Sequence, residues 1–204
     1  SAMTSKIFLD QHPETGYLIA GETKDFPSSS RLGSGDFFVL EADEYDSAFF
    51  DKRSKFIHYR PKTLLINNLE FDHADIFNDL SDIQQQYSQL LRTLASDACV
   101  IYPNSDLNIE ALFKKDFFSK TRTFSFEQDV IKISQLNNYG SKFEVFRSDE
   151  SFGEVNWELI GEHNLSNALA SLTIADELGL DLLKAVKSLS SFKGVSRRME
   201  LLFS

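Results

Sequence analysis

One cysteine, Cys99, is the whole thiol inventory of the chain. It sits in the apolar run Ala98-Cys99-Val100-Ile101. A lone cysteine excludes an internal disulfide and a cysteine-rich zinc site, and its surroundings read as those of a small buried hydrophobe. No apolar run approaches the roughly 18–20 residues that cross a membrane as a helix. The first residues carry no signal-peptide pattern, so a cytoplasmic compartment is expected. Cations are the minority charge: 21 Lys and Arg stand against 31 Asp and Glu, a net charge of −10. That balance argues against a general binder of nucleic acid or membrane surface, because phosphate backbones select basic surfaces. It leaves room for a small anionic ligand held by a few local cations. The sequence shows no internal repeat and no low-complexity stretch. It also lacks any G-x-x-x-x-G-K-[ST] phosphate loop.

What is present fits an ordinary globular chain of 204 residues, 42% hydrophobic and 25% charged, with 19 phenylalanines. A chain of this length buries roughly 70% of its unfolded surface and needs no staple to fold. Residues 37–40 (Phe-Phe-Val-Leu), 63–67 and 99–102 are short apolar runs, read as strands buried on both faces, as in a parallel sheet. Between the last two, Ile83, Tyr87, Leu90, Leu91 and Leu94 recur at helical spacing, with Asp79 or Ser81 as the cap. Strand, helix, strand in that order predicts an α/β fold with a mostly parallel sheet flanked by helices. Residues 106–112 read as a short helix. Residues 7–9 are compatible with the end of a helix or the start of a strand. Segments 121–126, 130–136, 141–146 and 152–159 are short and partly alternating, with a turn at Asn137-Asn138-Tyr139-Gly140. They predict a small antiparallel β appendage. Leu165, Ala168, Leu169, Leu172, Ala175 and Leu178 predict a long helix closed by Gly179, followed by a further helix from Asp181.

Four segments carry candidate chemistry. Glu41-Ala42-Asp43-Glu44-Tyr45-Asp46 ends the first strand with four carboxylates in six residues. A solvated acidic loop accounts for it, and so does a ligand crevice at a strand end, where oxygen ligands suit a hard cation such as Mg²⁺. Asn67-Asn68-Leu69-Glu70-Phe71-Asp72-His73-Ala74-Asp75 follows the next strand. If the two strands are neighbours, Glu41 and His73 share one sheet edge. His163-Asn164-Leu165-Ser166-Asn167 opens the long helix, with Asn164 and Asn167 on one face of its first turn. One Asn capping the helix explains the segment; so does a pair of amides reading the donor–acceptor edge of adenine. Lys193-Gly194-Val195-Ser196-Arg197-Arg198 is either a basic surface turn or a grip for phosphate oxygens.

Taken in order, the E-A-D-E strand end, the N-x-E-x-D-H loop, the H-N-x-x-N helix start and the G-x-x-R-R turn resemble the Mur ligases, the ATP-dependent amide-forming enzymes of bacterial cell-wall synthesis. Residues 41–56 and 67–77 look most like the murein-recycling branch of that family. Its alanine-adding relatives typically carry serine where Tyr45 stands and lack Phe49-Phe50-Asp51-Lys52-Arg53. The resemblance covers nearly the whole chain. It implies ATP and Mg²⁺ as cofactors, and as substrates UDP-N-acetylmuramate and the tripeptide L-Ala-γ-D-Glu-meso-diaminopimelate, joined through an acyl phosphate. No nucleic acid, membrane or protein partner is implied. It further implies Glu41 and His73 as metal ligands and catalytic residues, and Asn164 and Asn167 as adenine contacts. Arg198, and with it Arg197, matches the phosphate-binding and catalytic arginine. Asp72 would orient His73, and His163 would lie beside the nucleotide.

The departure is the missing phosphate loop, which the family carries just ahead of its first middle-domain helix. Ser1-Ala2-Met3 reads as an expression-derived leader, and the chain stops in the apolar Leu201-Leu202-Phe203-Ser204. The expectation is that residues 1–204 are the central domain alone, without the family's N- and C-terminal domains, and inactive by themselves. Two other readings stand beside it. One is an alanine-adding or folylpolyglutamate-type ligase of the same superfamily; the other is a non-catalytic nucleotide-binding scaffold.

Overall fold

The computed structural model describes residues 1–71, 74–114 and 117–196. The chain forms two compact units, residues 1–41 with 124–204, and residues 42–123.

The first unit begins with α1 (Ala2–Gln11). Met3 and Ile7, and Thr4 and Phe8, stand four residues apart and are buried, and residues 7–9 are helix. β1 (Gly16–Leu18) follows, antiparallel to β2 (Ser30–Arg31) and parallel to β3 (Phe38–Leu40), with Tyr17 opposite Val39. The expectation for residues 37–40 is corrected in one respect. They do form a strand, but Phe38 is 50% exposed and Val39 and Leu40 are only half-buried. β3 is the last strand of its small sheet, so its apolar run is not enclosed on both faces.

The antiparallel appendage is a meander of β9 (Ile131–Gln135), β10 (Lys142–Arg147) and β11 (Glu150–Asn156), with a bulge between Val145 and Phe146. Its alternation is legible in β10, where Phe143 and Val145 are fully buried. Asn137 makes the β9–β10 turn: its Oδ1 accepts from the backbone N–H of Tyr139 and Ser141, at 3.3 and 3.1 Å. Trp157 stacks edge-on against Phe143, centroids 5.1 Å apart, and donates Nε1–H to the Gly140 carbonyl at 3.0 Å.

α4 (Glu162–Glu177) is buried almost all round, so its polar positions must be satisfied locally. Ser171 and Thr173 return their hydroxyls to the carbonyls of Asn167 and Leu169 at 2.8 and 2.9 Å. Gly179 ends the helix at φ +71°, with its own N–H on Asp176 and that of Leu180 on Ala175, a double-bonded left-handed cap. Asp181 then caps α5 (Leu182–Ser190) by accepting from Lys184 N–H at 3.1 Å. Gln11 clasps the backbone of Asp181 through both amide atoms, tying the end of α1 to the start of α5.

The second unit opens with a hairpin, β4 (Asp46–Ala48) and β5 (Asp51–Ser54), whose tip carries Phe49 and Phe50 at 93% and 91% exposure. A short 3₁₀ turn leads to β6 (Thr63–Leu65), which lies parallel to β7 (Cys99–Pro103) with Leu64 opposite Val100. α2 (Leu80–Leu91) makes the crossover and buries Ile83, Leu90 and Leu91. Asp79 is its cap, accepting from Asp82 N–H at 3.1 Å, while Ser81 donates its hydroxyl to Asp79. α3 (Leu107–Glu110) follows β7. β8 (Lys120–Phe124) joins β7 to complete the sheet order β6-β7-β8. Residues 121–124, part of the segment 121–126 expected in the antiparallel appendage, therefore belong to the other sheet. Their short alternating pattern specifies a strand but not its partner. The core of this unit is Phe56, Ile66, Leu90, Val100 and Ile109, each essentially inaccessible.

The α/β class is thus as expected, but its parallel pairing is divided. β1 pairs with β3 and β6 with β7, in separate sheets.

Candidate functional site

Glu41 follows β3 directly, with its N–H on the Leu18 carbonyl at 2.9 Å. Its carboxylate turns back toward the start of α1: Oε2 accepts from Ala20 N–H at 3.1 Å and from the Ser1 hydroxyl at 2.5 Å. Both bonds fall on Oε2. Glu41 therefore presents a hard oxygen donor of the kind a hard cation takes.

The other carboxylates of the acidic run are drawn off individually in the second unit. Asp43 binds Lys55 Nζ at 2.8 Å and accepts from Tyr45 N–H. The Asp43 carboxylate raises the Lys55 pKa above its ordinary value. Asp46 pairs with Lys52 at 2.6 Å. Glu44 accepts from the Tyr87 hydroxyl at 3.4 Å. Burial first, and then the charge of Glu44, pushes that phenol well above its usual range. Asp51 takes both a bidentate Arg53 and His58, and the Arg53 hydrogen bond holds its carboxyl well below the normal carboxylate value. These partners relieve the mutual repulsion of the run. Among the described residues no group of three His, Cys, Asp or Glu side chains is arranged to hold a metal.

The loop after β6 is anchored from α3. Asp106 Oδ2 accepts from Leu69 N–H at 3.0 Å, while its Oδ1 caps α3 through Asn108 and Ile109. Asn108 Nδ2 closes the clasp on the Leu69 carbonyl at 2.9 Å. Nothing local in the sequence of residues 67–71 announces this partner. Asp72 and His73 lie outside the described residues. β3 and β6 are not paired, so the expected sharing of one sheet edge by Glu41 and His73 does not follow from strand adjacency.

Asn164 and Asn167 occupy the first turns of α4 and are half-buried. The N-cap position is Gly161, at φ +93° and without a side-chain cap, so neither asparagine is the cap. Asn164 uses Nδ2 to hold the Ile160 carbonyl at 2.8 Å. His163 is exposed, and its imidazole lies against Gly161, where a Cβ would come within 2.8 Å of the ring. A groove of about 610 Å³ also touches α4, through Glu162 and Leu165, with Phe126, Lys132 and Phe146 on its other walls. Glu162 and Leu165 share a face roughly opposite that of Asn164 and Asn167, so this groove is not formed by the asparagines. In the second unit Glu44, Asp46, Asp75, Asp82, Lys52 and Gln86 line a polar groove of about 450 Å³.

Arg197 and Arg198 lie outside the described residues. The segment leading to them does not. Residues 22–25 run antiparallel to residues 193–196, with Thr23 bridged to Val195, Lys24 N–H on the Gly194 carbonyl at 3.1 Å and Ser196 N–H on the Glu22 carbonyl at 2.8 Å. Asp25 Oδ2 accepts from Lys193 N–H at 3.0 Å. No sequence signal marks this link between segments some 170 residues apart, because isolated bridges leave no period to read.

Comparison with known proteins gives a consistent picture. Residues 26–175 match the Mur ligase middle domain. The chain is 44% identical over 186 residues to the UDP-N-acetylmuramate--L-alanyl-gamma-D-glutamyl-meso-2,6-diaminoheptandioate ligase of Escherichia coli, covering 91% of this chain and 40% of the relative. It is 39% identical to the Haemophilus influenzae enzyme of the same name, covering 92% and 41%. The crystal structure of the corresponding ligase from Neisseria meningitides superposes with a TM-score of 0.85 at 38% identity, over 96% of this chain and 63% of that one. The chain thus spans about two fifths of the length of the curated relatives it matches.

Proposed function

The chain belongs to the Mur ligase family, and from that premise we propose that residues 1–204 are the middle domain of a cytoplasmic ligase that uses ATP to join UDP-N-acetylmuramate to the tripeptide L-Ala-γ-D-Glu-meso-diaminopimelate in murein recycling. The observation that carries this reading is the 44% identity, across 91% of the chain, to a ligase named for that tripeptide.

In the proposed reaction the muramoyl carboxylate attacks the γ-phosphorus of ATP and ADP departs. The tripeptide amine then displaces phosphate from the acyl phosphate to form the amide. The physical difficulty is the approach of one anion to a polyanion. Glu41 and His73 are the proposed ligands for Mg²⁺, and Glu41 fits that role as an oxygen donor whose recorded bonds fall on one oxygen. When bound, the ion supplies positive charge to the phosphate oxygens. Asn164 and Asn167 orient the nucleotide by offering amide donors and acceptors to the adenine edge. Arg198, with Arg197, offers planar donors to phosphate. His163 borders the nucleotide.

A ligation assay on the full-length protein tests the reading. ADP release that requires both UDP-N-acetylmuramate and the tripeptide is expected, with L-alanine a poor substitute. The 204-residue chain alone is expected to give none. Use of L-alanine in preference to the tripeptide would assign the protein to the alanine-adding branch, and ligation by the isolated chain would refute the account of its parts.

A further inference from the structure

We infer that Trp157 is a positioning residue for Asn164: its indole N–H locks the β9–β10 turn to the start of α4 and so sets the direction of the Asn164 amide. The inference rests on the reading that this amide contacts adenine.

Three successive carbonyls of that turn accept from the segment that enters α4. Ser141 accepts from Trp157 N–H at 3.0 Å, Gly140 from Trp157 Nε1–H at 3.0 Å, and Tyr139 from Gly161 N–H at 2.8 Å. Residues 158–160 are therefore pinned at both ends to one turn. Two of the three donors are backbone groups that any residue other than proline supplies. Only the indole depends on the side chain at position 157. The turn it grips is itself held from within, because Asn137 Oδ1 accepts from both Tyr139 N–H and Ser141 N–H.

The pinned segment reaches the amide directly. Ile160 offers its carbonyl to Asn164 Nδ2 at 2.8 Å, and Gly161 offers its own to Asn164 N–H at 3.1 Å. Ile160 is 41% exposed, so packing alone does little to hold that carbonyl. With one N–H on Ile160, Asn164 keeps Oδ1 and a second N–H for a ligand, one acceptor and one donor on a fixed plane. Gly140 makes the same junction tight. Its φ is +73°, and a Cβ there would come within 3.0 Å of Leu165 Cδ1, so turn and helix touch at the residue next to Asn164. A slack turn therefore disturbs the helix start as well as the Ile160 carbonyl.

Trp157 is 6% exposed, and a buried indole N–H needs an acceptor. Any carbonyl would satisfy it. The one it takes lies between the two that hold residues 157 and 161, and that placement couples it to the site.

The test is discrimination by the full-length ligase between ATP and purine riboside triphosphate, which lacks the exocyclic amine. The readout is the ratio of the two kcat/KM values, with thermal unfolding of each variant alongside. Trp157→Phe keeps a ring in the buried site and removes the donor. It is expected to lower the ratio about fivefold, the scale of one misaligned hydrogen bond. Asn137→Ala loosens the same turn from within and should lower the ratio likewise. Asn137→Asp keeps the acceptor and should return the ratio to within about twofold of the parent. A role confined to stability would lower the melting temperature and leave the ratio unmoved. That result in Trp157→Phe, or in Asn137→Ala should the first variant not fold, overturns the inference. Asn164→Ala serves as the control. If it leaves the ratio unchanged, the adenine reading falls and the inference with it. If it lowers the ratio while Trp157→Phe does not, only the inference falls.

Discussion

Replacing Glu41 by Gln in the full-length ligase is expected to lower kcat on the order of 10³-fold, the scale set by removing one group that stabilises charge at a reacting phosphate. The substitution keeps the side chain's length and one carbonyl oxygen. The bond from Ala20 N–H, at 3.1 Å, needs only an acceptor. The fold should therefore be indifferent, and the melting temperature should stay near that of the parent. What is lost is the negative charge that a hard cation requires. Raising Mg²⁺ should recover part of the rate, because a weakened site fills at higher concentration. A Glu41→Gln enzyme with the parent's rate and the parent's Mg²⁺ dependence would remove Glu41 from the site.

The largest stability effect is expected at Phe143. It is fully buried on β10, the central strand of the antiparallel meander, and it stacks edge-on with Trp157 at 5.1 Å. Phe143→Ala removes that pair and leaves a cavity that the rigid sheet cannot collapse to fill. A loss of about 3–5 kcal/mol follows from comparable truncations, with the aromatic pair included. Against a typical total of about 5–15 kcal/mol, that is a large share. Urea unfolding of the chain measures it. A change below about 1 kcal/mol would mean that the ring is not packed as described.

What the sequence made legible was local. α2 and α4 were readable because Ile83, Leu90 and Leu91, and Leu165, Leu169 and Leu172, repeat at helical spacing. Asp79 and Gly179 marked helix ends because each acts within a few residues of itself. β6 and β7 were readable as continuous apolar runs, and they pair in parallel as expected. What the sequence did not show were two strand pairings set by a distant partner. β1 is three residues long, too short to show a period, yet it is the strand that β3 pairs with. β8 looked like its antiparallel neighbours in sequence and joined β7 instead.

The candidate site divides in the same way. Glu41, Asn164 and Asn167 were visible as polar residues at the ends of apolar elements. The hydrogen bonds that hold their surroundings were not. Asp106 and Asn108 clasp Leu69 from almost forty residues away. Within the four-carboxylate run Lys52, Lys55 and Tyr87 each take one acid, partners that the run itself does not contain.

The central claim is that this domain places ATP by the first turns of α4. Calorimetric titration of the full-length protein with ATP in Mg²⁺, repeated on an Asn164→Ala/Asn167→Ala double variant, tests it most directly. The account predicts binding by the parent that weakens by about 100-fold in the variant, the effect of losing two hydrogen-bonding amides. Equal affinity in the two proteins would contradict it.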